Sequence, residues 1–235
     1  MQRFKFKHKE TVATIILEEE KYYNIVVKAI LEARRAIEEK IREDPLFHLT
    51  IEPYECRGFI VERMCYASKV ANVGPMASVA GVIAQHAVER TVEKGAEFVV
   101  VDNGGDIAMY LNRPLRVGLY TYTQRICFEV NEDGFYSICT SSGTIGHSIS
   151  LGFADAATVF ARDACIADAF ATALCNEIKD EFDKREIKSA LMDFWRRAEN
   201  FILGALVVKG EVVGFVGKIP RVVRGVVKPD LITRG

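Results

Sequence analysis

Asp168 and Thr172 stand four residues apart in a run of small, apolar side chains from Asp163 to Cys175. In a helix, residues at that spacing lie one above the other on a single face. A carboxylate and a hydroxyl on such a face suit a hard cation such as Mg²⁺, with phosphate oxygens filling the rest of its shell. The competing reading is local: Thr172 bonds the Asp168 carbonyl, and Asp168 reaches solvent near the helix start.

Two other segments carry chemistry-bearing residues. Asn103-Gly104-Gly105-Asp106 separates two apolar runs, Glu97 to Asp102 and Ile107 to Leu111. Asn-Gly in that setting reads as a tight hairpin turn. Its glycines also allow backbone amides to approach a ligand closely. Thr140 to Ser148 then gathers hydroxyls, glycines and His147 directly after an apolar run. Such a loop holds phosphate through Ser142, Gly143 and Thr144, or else its serines simply satisfy turns. His147 has the side chain best suited to move a proton near neutral pH. Asp155 and Arg162 flank the Asp163 helix, either extending the site or capping and pairing. The sequence holds no P-loop, no GxGxxG after a strand and no recognisable Ser-His-Asp set.

The elements that must position these residues follow from hydrophobic period. Phe4 to Lys7 and Val12 to Leu17 read as paired strands. Val26, Ile30, Ala33, Ile37 and Ile41 recur at three- and four-residue steps, which predicts a helix of about five or six turns ending near Asp44-Pro45. Residues 46–73 read as mixed, with strands that include Phe59 to Val61. Pro75 suits the first turn of a helix that runs to about Lys94, with Gly95 beyond its end. Strands are expected near 115–120, 125–130 and 135–140, and helices at Asp163 to Phe182 and Ile187 to Asn200. A hairpin about Lys209-Gly210 joins Ile202 to Val208 with Glu211 to Val216. The basic tail from Lys218 to Gly235 reads as solvated and loosely packed, and Trp195 as a packing residue.

The chain has 235 residues, 49% of them hydrophobic and 27% charged, with a formal net charge of −1. That is ordinary globular composition for one domain, and it gives no reason to expect a nucleic-acid or anionic-membrane partner. No apolar run approaches the ~20 residues that cross a bilayer, and Met1 to Lys9 lacks the apolar stretch of a signal peptide. The expected location is the cytoplasm. The six cysteines form no CxxC pair, so most are expected to be buried thiols.

Taken in order, these segments resemble the ApbE-like (flavin transferase-like) superfamily over roughly residues 70–175. The resemblance rests on the small-residue helix Gly74 to Lys94, Asn103 to Ile107, Thr140 to Gly143, His147, and Ala167 to Leu174. The last segment matches the family's Ala-Asp-Ala-Leu-Ala-Thr-Ala-Leu signature almost residue for residue. The compact length is closest to a short uncharacterised prokaryotic branch of that superfamily. The resemblance implies an α+β, T-fold-like single domain over residues 1–235, with antiparallel-rich sheets backed by long helices. It implies Mg²⁺ held by Asp168, Thr172 and the backbone carbonyl of Ala77. FAD would lie against Asn103, Gly104, Gly105 and Asp106, with His147 as the base for an attacking hydroxyl.

The implied activities are transfer of FMN to a threonine of an acceptor protein and hydrolysis of FAD. A role in sulfur assimilation (homocysteine formation), using Cys56 or Cys65, and a non-catalytic binding role are the alternatives. Two positions differ from the transferases. Ala80-Gly81 replaces the usual Lys-Gly, and Ser148 to Leu151 replaces the usual Ile-Ile-Asp-Pro.

Overall fold

The computed structural model describes residues 1–121, 125–144, 152–225 and 233. The hairpin of β1 (Gln2–His8) and β2 (Thr11–Leu17) leads into α1 (Tyr23–Glu43). That helix buries Val26, Ala29, Ile30, Ala33 and Ile37, one stripe at the expected spacing. It stops at Asp44, and Pro45 opens the short α2 (Pro45–Leu49).

The strands expected within residues 46–73 are replaced by a helix, α3 (Phe59–Ala71). Its β-branched start, Ile60-Val61, mimics a strand. Its buried set of Ile60, Val61, Met64, Cys65, Ala67, Ser68 and Ala71 nonetheless has helical period. Asn72 closes α3 in the left-handed conformation. A single turn, Pro75–Ser78, then enters α4 (Val79–Val92).

The strands β3 (Val99–Asn103), β4 (Asp106–Leu111), β7 (Gly134–Ser141) and β8 (Ala156–Ala161) form the centre of an antiparallel sheet. It is extended by the first hairpin on one side and by β9 (Gly204–Lys209) and β10 (Val212–Gly217) on the other. The order is β1-β2-β3-β4-β7-β8-β9-β10. All six residues of β8 are buried, so it shows no alternation, and the sequence reading missed it.

A second sheet, of order β11-β6-β5, contains β5 (Leu115–Tyr120), β6 (Arg125–Val130) and β11 (Arg221–Arg224). β11 corrects the expectation of a loosely packed tail, because it pairs with β6 over four residues. Farther along, Thr233 donates a hydrogen bond to Asp102.

Each face of the large sheet has its own core. Val99, Val101, Ala108 and Val159 face the helices, among them α5 (Ala164–Glu177). Val100, Met109, Phe160 and Leu206 face the small sheet. α6 (Lys184–Ala198) covers the β10 end, with Trp195 packed over Gly217 as a packing residue should be.

Cys56 and Cys65 form a disulfide, with Cα atoms 6.1 Å apart. This overturns the expectation of thiols at those positions. The coil before α3 folds back on the helix and brings two residues nine apart within bonding range. Cys139, Cys165 and Cys175 are buried thiols as expected, and Cys127 is a half-buried one.

Candidate functional site

The alternation of β4 decides which acids can meet. Asp106, like Ala108, points to the helix side of the sheet, while Asp102 points to the opposite side. The turn between them is tight, with Gly104 and Gly105 at φ +70° and +106°. The Gly105 amide is already used, donating to Asp102 Oδ1 at 3.0 Å. Asn103, paired across from Asp106, donates through Nδ2 to the Ala80 carbonyl of α4 at 3.1 Å. The hairpin is thereby fastened to the first turn of that helix.

Asp168 approaches the same place from α5. Asp163 caps this helix, its carboxylate accepting from the amides of Cys165 and Ile166. The two helices pack closely because α4 has Gly81 at the crossing. A Cβ there would meet the Ala164 carbonyl and lie 2.7 Å from the Asp168 Cβ. The Asp168 side chain is buried, and its Oδ2 accepts from the Gly81 amide at 2.8 Å.

Asp106 and Asp168 are both buried, and the charge of Asp106 acts on Asp168. Burial first, then the charge of Asp102, pushes Asp106 up to about 7. Burial, then the charge of Asp106, pushes Asp168 well above the usual carboxylate range. The groups acting against these shifts are backbone amides and, at Asp106, the Cys139 thiol, none of them a cation. Asp106 Oδ1 and Ser141 Oγ are buried without a hydrogen-bond partner among the described residues. Two desolvated carboxylates with an orphaned oxygen must take up a proton or a cation. This all-oxygen donor set fits a hard divalent ion.

Thr172 lies one turn farther along α5 and is half-buried, as is Ala77 in the turn ahead of α4. The loop after β7 is tied to the far end of α5 through backbone. A side chain on Gly143 would meet the Gly152 carbonyl, and one on Gly152 would meet the Cys175 carbonyl. The Gly143 amide donates to the Ala154 carbonyl at 3.0 Å, so it too is used. Thr144 donates through its amide to Ser142 Oγ and through Oγ1 to Asp155 Oδ1. Asp155 in turn accepts from the Gly210 amide at 2.7 Å. It belongs to this loop, whereas Arg162 pairs with Glu132 instead. His147 lies outside the described residues.

The structure therefore brings Asn103, Asp106 and Asp168 together. Sequence reasoning missed Gly81, Cys139 and Ser141 as their surroundings. The one usable signal was parity, since Cys139 and Ser141 share a strand face. Among the described residues, no group of three or more His, Cys, Asp or Glu side chains forms a metal cluster. None of their helices is long and apolar enough to cross a membrane.

A family model described as "AbpE bacteria" matches residues 1–200. A UPF0280 protein of Archaeoglobus fulgidus is 51% identical over 236 residues, covering 100% of both chains. Among solved structures, the apo flavinyl transferase ApbE of Pseudomonas stutzeri aligns with a TM-score of 0.58 at 13% identity. That alignment covers 92% of this chain and 93% of the other. The ApbE protein of Thermotoga maritima aligns with a TM-score of 0.57 at 13% identity, over 100% of both chains.

Proposed function

This chain belongs to the AbpE bacteria family, and from that premise we propose that it binds a flavin dinucleotide together with Mg²⁺. One observation carries the reading: Asp168 is buried within reach of the charge of Asp106, and only backbone amides, no cation, offset its charge. Asp168, Thr172 and the Ala77 carbonyl would hold the ion, which supplies charge to offset a pyrophosphate. Asn103, Gly104, Gly105 and Asp106 would line the flavin side. Ser142, Gly143 and Thr144 would face the phosphates.

His147 would take the proton from the attacking hydroxyl, that of a threonine on an acceptor protein or of water. The first breaks the pyrophosphate to give FMN transfer with AMP as the leaving group, and the second hydrolyses FAD to FMN and AMP. We place the protein in the cytoplasm and read residues 1–235 as one domain.

Calorimetric titration of the purified protein with FAD tests the reading. The wild type should bind FAD in Mg²⁺ and lose at least tenfold affinity in a chelator. Asp168→Asn should lose the Mg²⁺ dependence while unfolding no earlier than the wild type. His147→Ala should keep the binding and lose release of FMN, followed by chromatography. No heat and no thermal shift with FAD plus Mg²⁺ would sink the proposal. Binding without turnover in the wild type would leave the non-catalytic role.

A further inference from the structure

The Cys56–Cys65 bond ties down a segment that little else holds. Of residues 51–57, which join α2 to α3, only Tyr54 and Cys56 are half-buried, and the others are exposed. Among the described residues, the backbone of this stretch makes no hydrogen bond to other backbone. Tyr54 fastens its middle, meeting Phe47 edge to face and donating through its hydroxyl to Asp44 Oδ2 at 3.0 Å. Cys56 fastens its end to α3. Ordering such a coil costs conformational entropy that no backbone ladder offsets.

The coil also forms one wall of the turn that carries Ala77. Gly74 opens that turn, and a Cβ on it would lie 2.1 Å from the Thr50 carbonyl oxygen and 2.9 Å from the Ile51 Cα. Main chain therefore rests on main chain where the coil begins. Within the turn, the Ala77 amide donates to the Gly74 carbonyl at 3.1 Å. The approach to the turn is pinned by Ser68 of α3. Its carbonyl accepts from the Val73 amide, and its hydroxyl donates to the Val73 carbonyl. A coil set free would withdraw the Thr50 wall and leave the Ser68 pin in place. In a reducing compartment such as the cytoplasm, disulfides are characteristically transient, catalytic or redox-sensing.

We propose that the Cys56–Cys65 bond is a reversible redox latch, which a dithiol reductant opens to free residues 51–57 and loosen the turn at Ala77. The half-buried Cys56 offers the sulfur to attack, because Cys65 is buried. The reductant's first thiolate attacks Cys56, the sulfur–sulfur bond breaks, and Cys65 leaves as a thiolate. Its second thiolate then displaces Cys56 and closes the reductant's own disulfide. Two electrons pass to the protein, and each cysteine takes up one of the two protons that the reductant gives up. The consequence for the ion rests on the role proposed above for the Ala77 carbonyl. A looser turn holds that oxygen less firmly, so the reduced protein binds Mg²⁺ more weakly.

The test compares the oxidised full chain with the same protein in dithiothreitol, well below the melting temperature. Dithiothreitol should make Cys56 and Cys65 available to iodoacetamide in the folded protein, and mild oxidant should restore the bond. Hydrogen exchange of the Ala77 amide should rise about tenfold or more, while the amides of α5 stay unchanged. Trypsin should cut faster after Arg57. Cys56→Ser with Cys65→Ser should match the reduced wild type with or without reductant, which separates the bond from other effects of the reagent. Mg²⁺ affinity should fall about fivefold or more on reduction. A bond that survives the dithiol in the folded protein would overturn the latch. So would a reduced protein whose Ala77 amide exchanges as before. Equal Mg²⁺ binding in the two states would overturn the link to the ion. If neither state binds Mg²⁺ while Ala77 exchange responds to reduction, the latch stands and the proposed function fails.

Discussion

At the scale of single residues, the site is defined by two acids that resist ionisation. A carboxyl whose folded pKa lies above its unfolded value holds its proton in the native state after the unfolded chain has released it. For Asp106 that window runs from 3.8 to about 7. The stability it contributes is complete below the window and is lost as pH rises through it. In a chelator, the unfolding temperature of the wild type should therefore fall relative to that of Asp106→Asn between pH 4 and pH 7. The gap between the two should then level off above about 7, as followed by thermal melts across that range. An unchanging gap would mean that Asp106 is ionised throughout. Asp168 and the Asn-Gly-Gly-Asp turn were legible as motifs, because composition and spacing are local. Their meeting was not legible, since it depends on the register of β4 against β7 and on how closely α4 approaches α5.

At the scale of elements, the helix pair and the disulfide-tied coil set the geometry. Gly81→Ala would place a methyl group against the Ala164 carbonyl and the Asp168 Cβ. Overpacking of this kind costs about 1–3 kcal/mol. For a chain of this length that lowers the unfolding temperature by about 2–10 °C. Calorimetry should show the loss, together with weakened Mg²⁺ binding, since the Gly81 amide also holds Asp168. The Cys56–Cys65 bond spans nine residues. Closing so short a loop contributes about 2–3 kcal/mol through the unfolded chain. Reduction, or Cys56→Ser with Cys65→Ser, should lower the melting temperature by about 5–10 °C. Equal melting curves with and without reductant would count against the bond. The bond also bears on the sulfur-assimilation alternative, because it joins the two cysteines that reading would use. α1, α4, α5 and most of the strands were legible from hydrophobic period. α3 was misread because Ile60 and Val61 imitate a strand, and β8 was missed because burial on both faces erases alternation.

At the scale of the whole molecule, one sheet separates two cores with different duties. The helix side carries the acids, and the far side joins the small sheet to the large one. Phe128 of the small sheet meets Phe160 of the large sheet edge to face, with ring centroids 5.0 Å apart. Phe128→Ala should cost about 3–5 kcal/mol. Hydrogen exchange should rise first in β5, β6 and β11, while the amides of α4 and α5 stay protected. The overall α+β class followed from the sequence, but the three-layer stacking did not. Nothing local records which residues of a tail will return to pair with β6.

The places where main chain rests directly on main chain have a further consequence. At Gly74, Gly81, Gly143 and Gly152, any side chain would meet a carbonyl oxygen of another segment. A saturation library read out by folded yield should show substitutions lowering the yield at all four positions, the more so the larger the side chain. Only Gly143 among them lies within the proposed ligand-facing set. A comparison that ranked positions by tolerance alone would mistake scaffolding for chemistry, and it would pass over Thr172, where the proposed function predicts that replacement spares the fold and removes the activity.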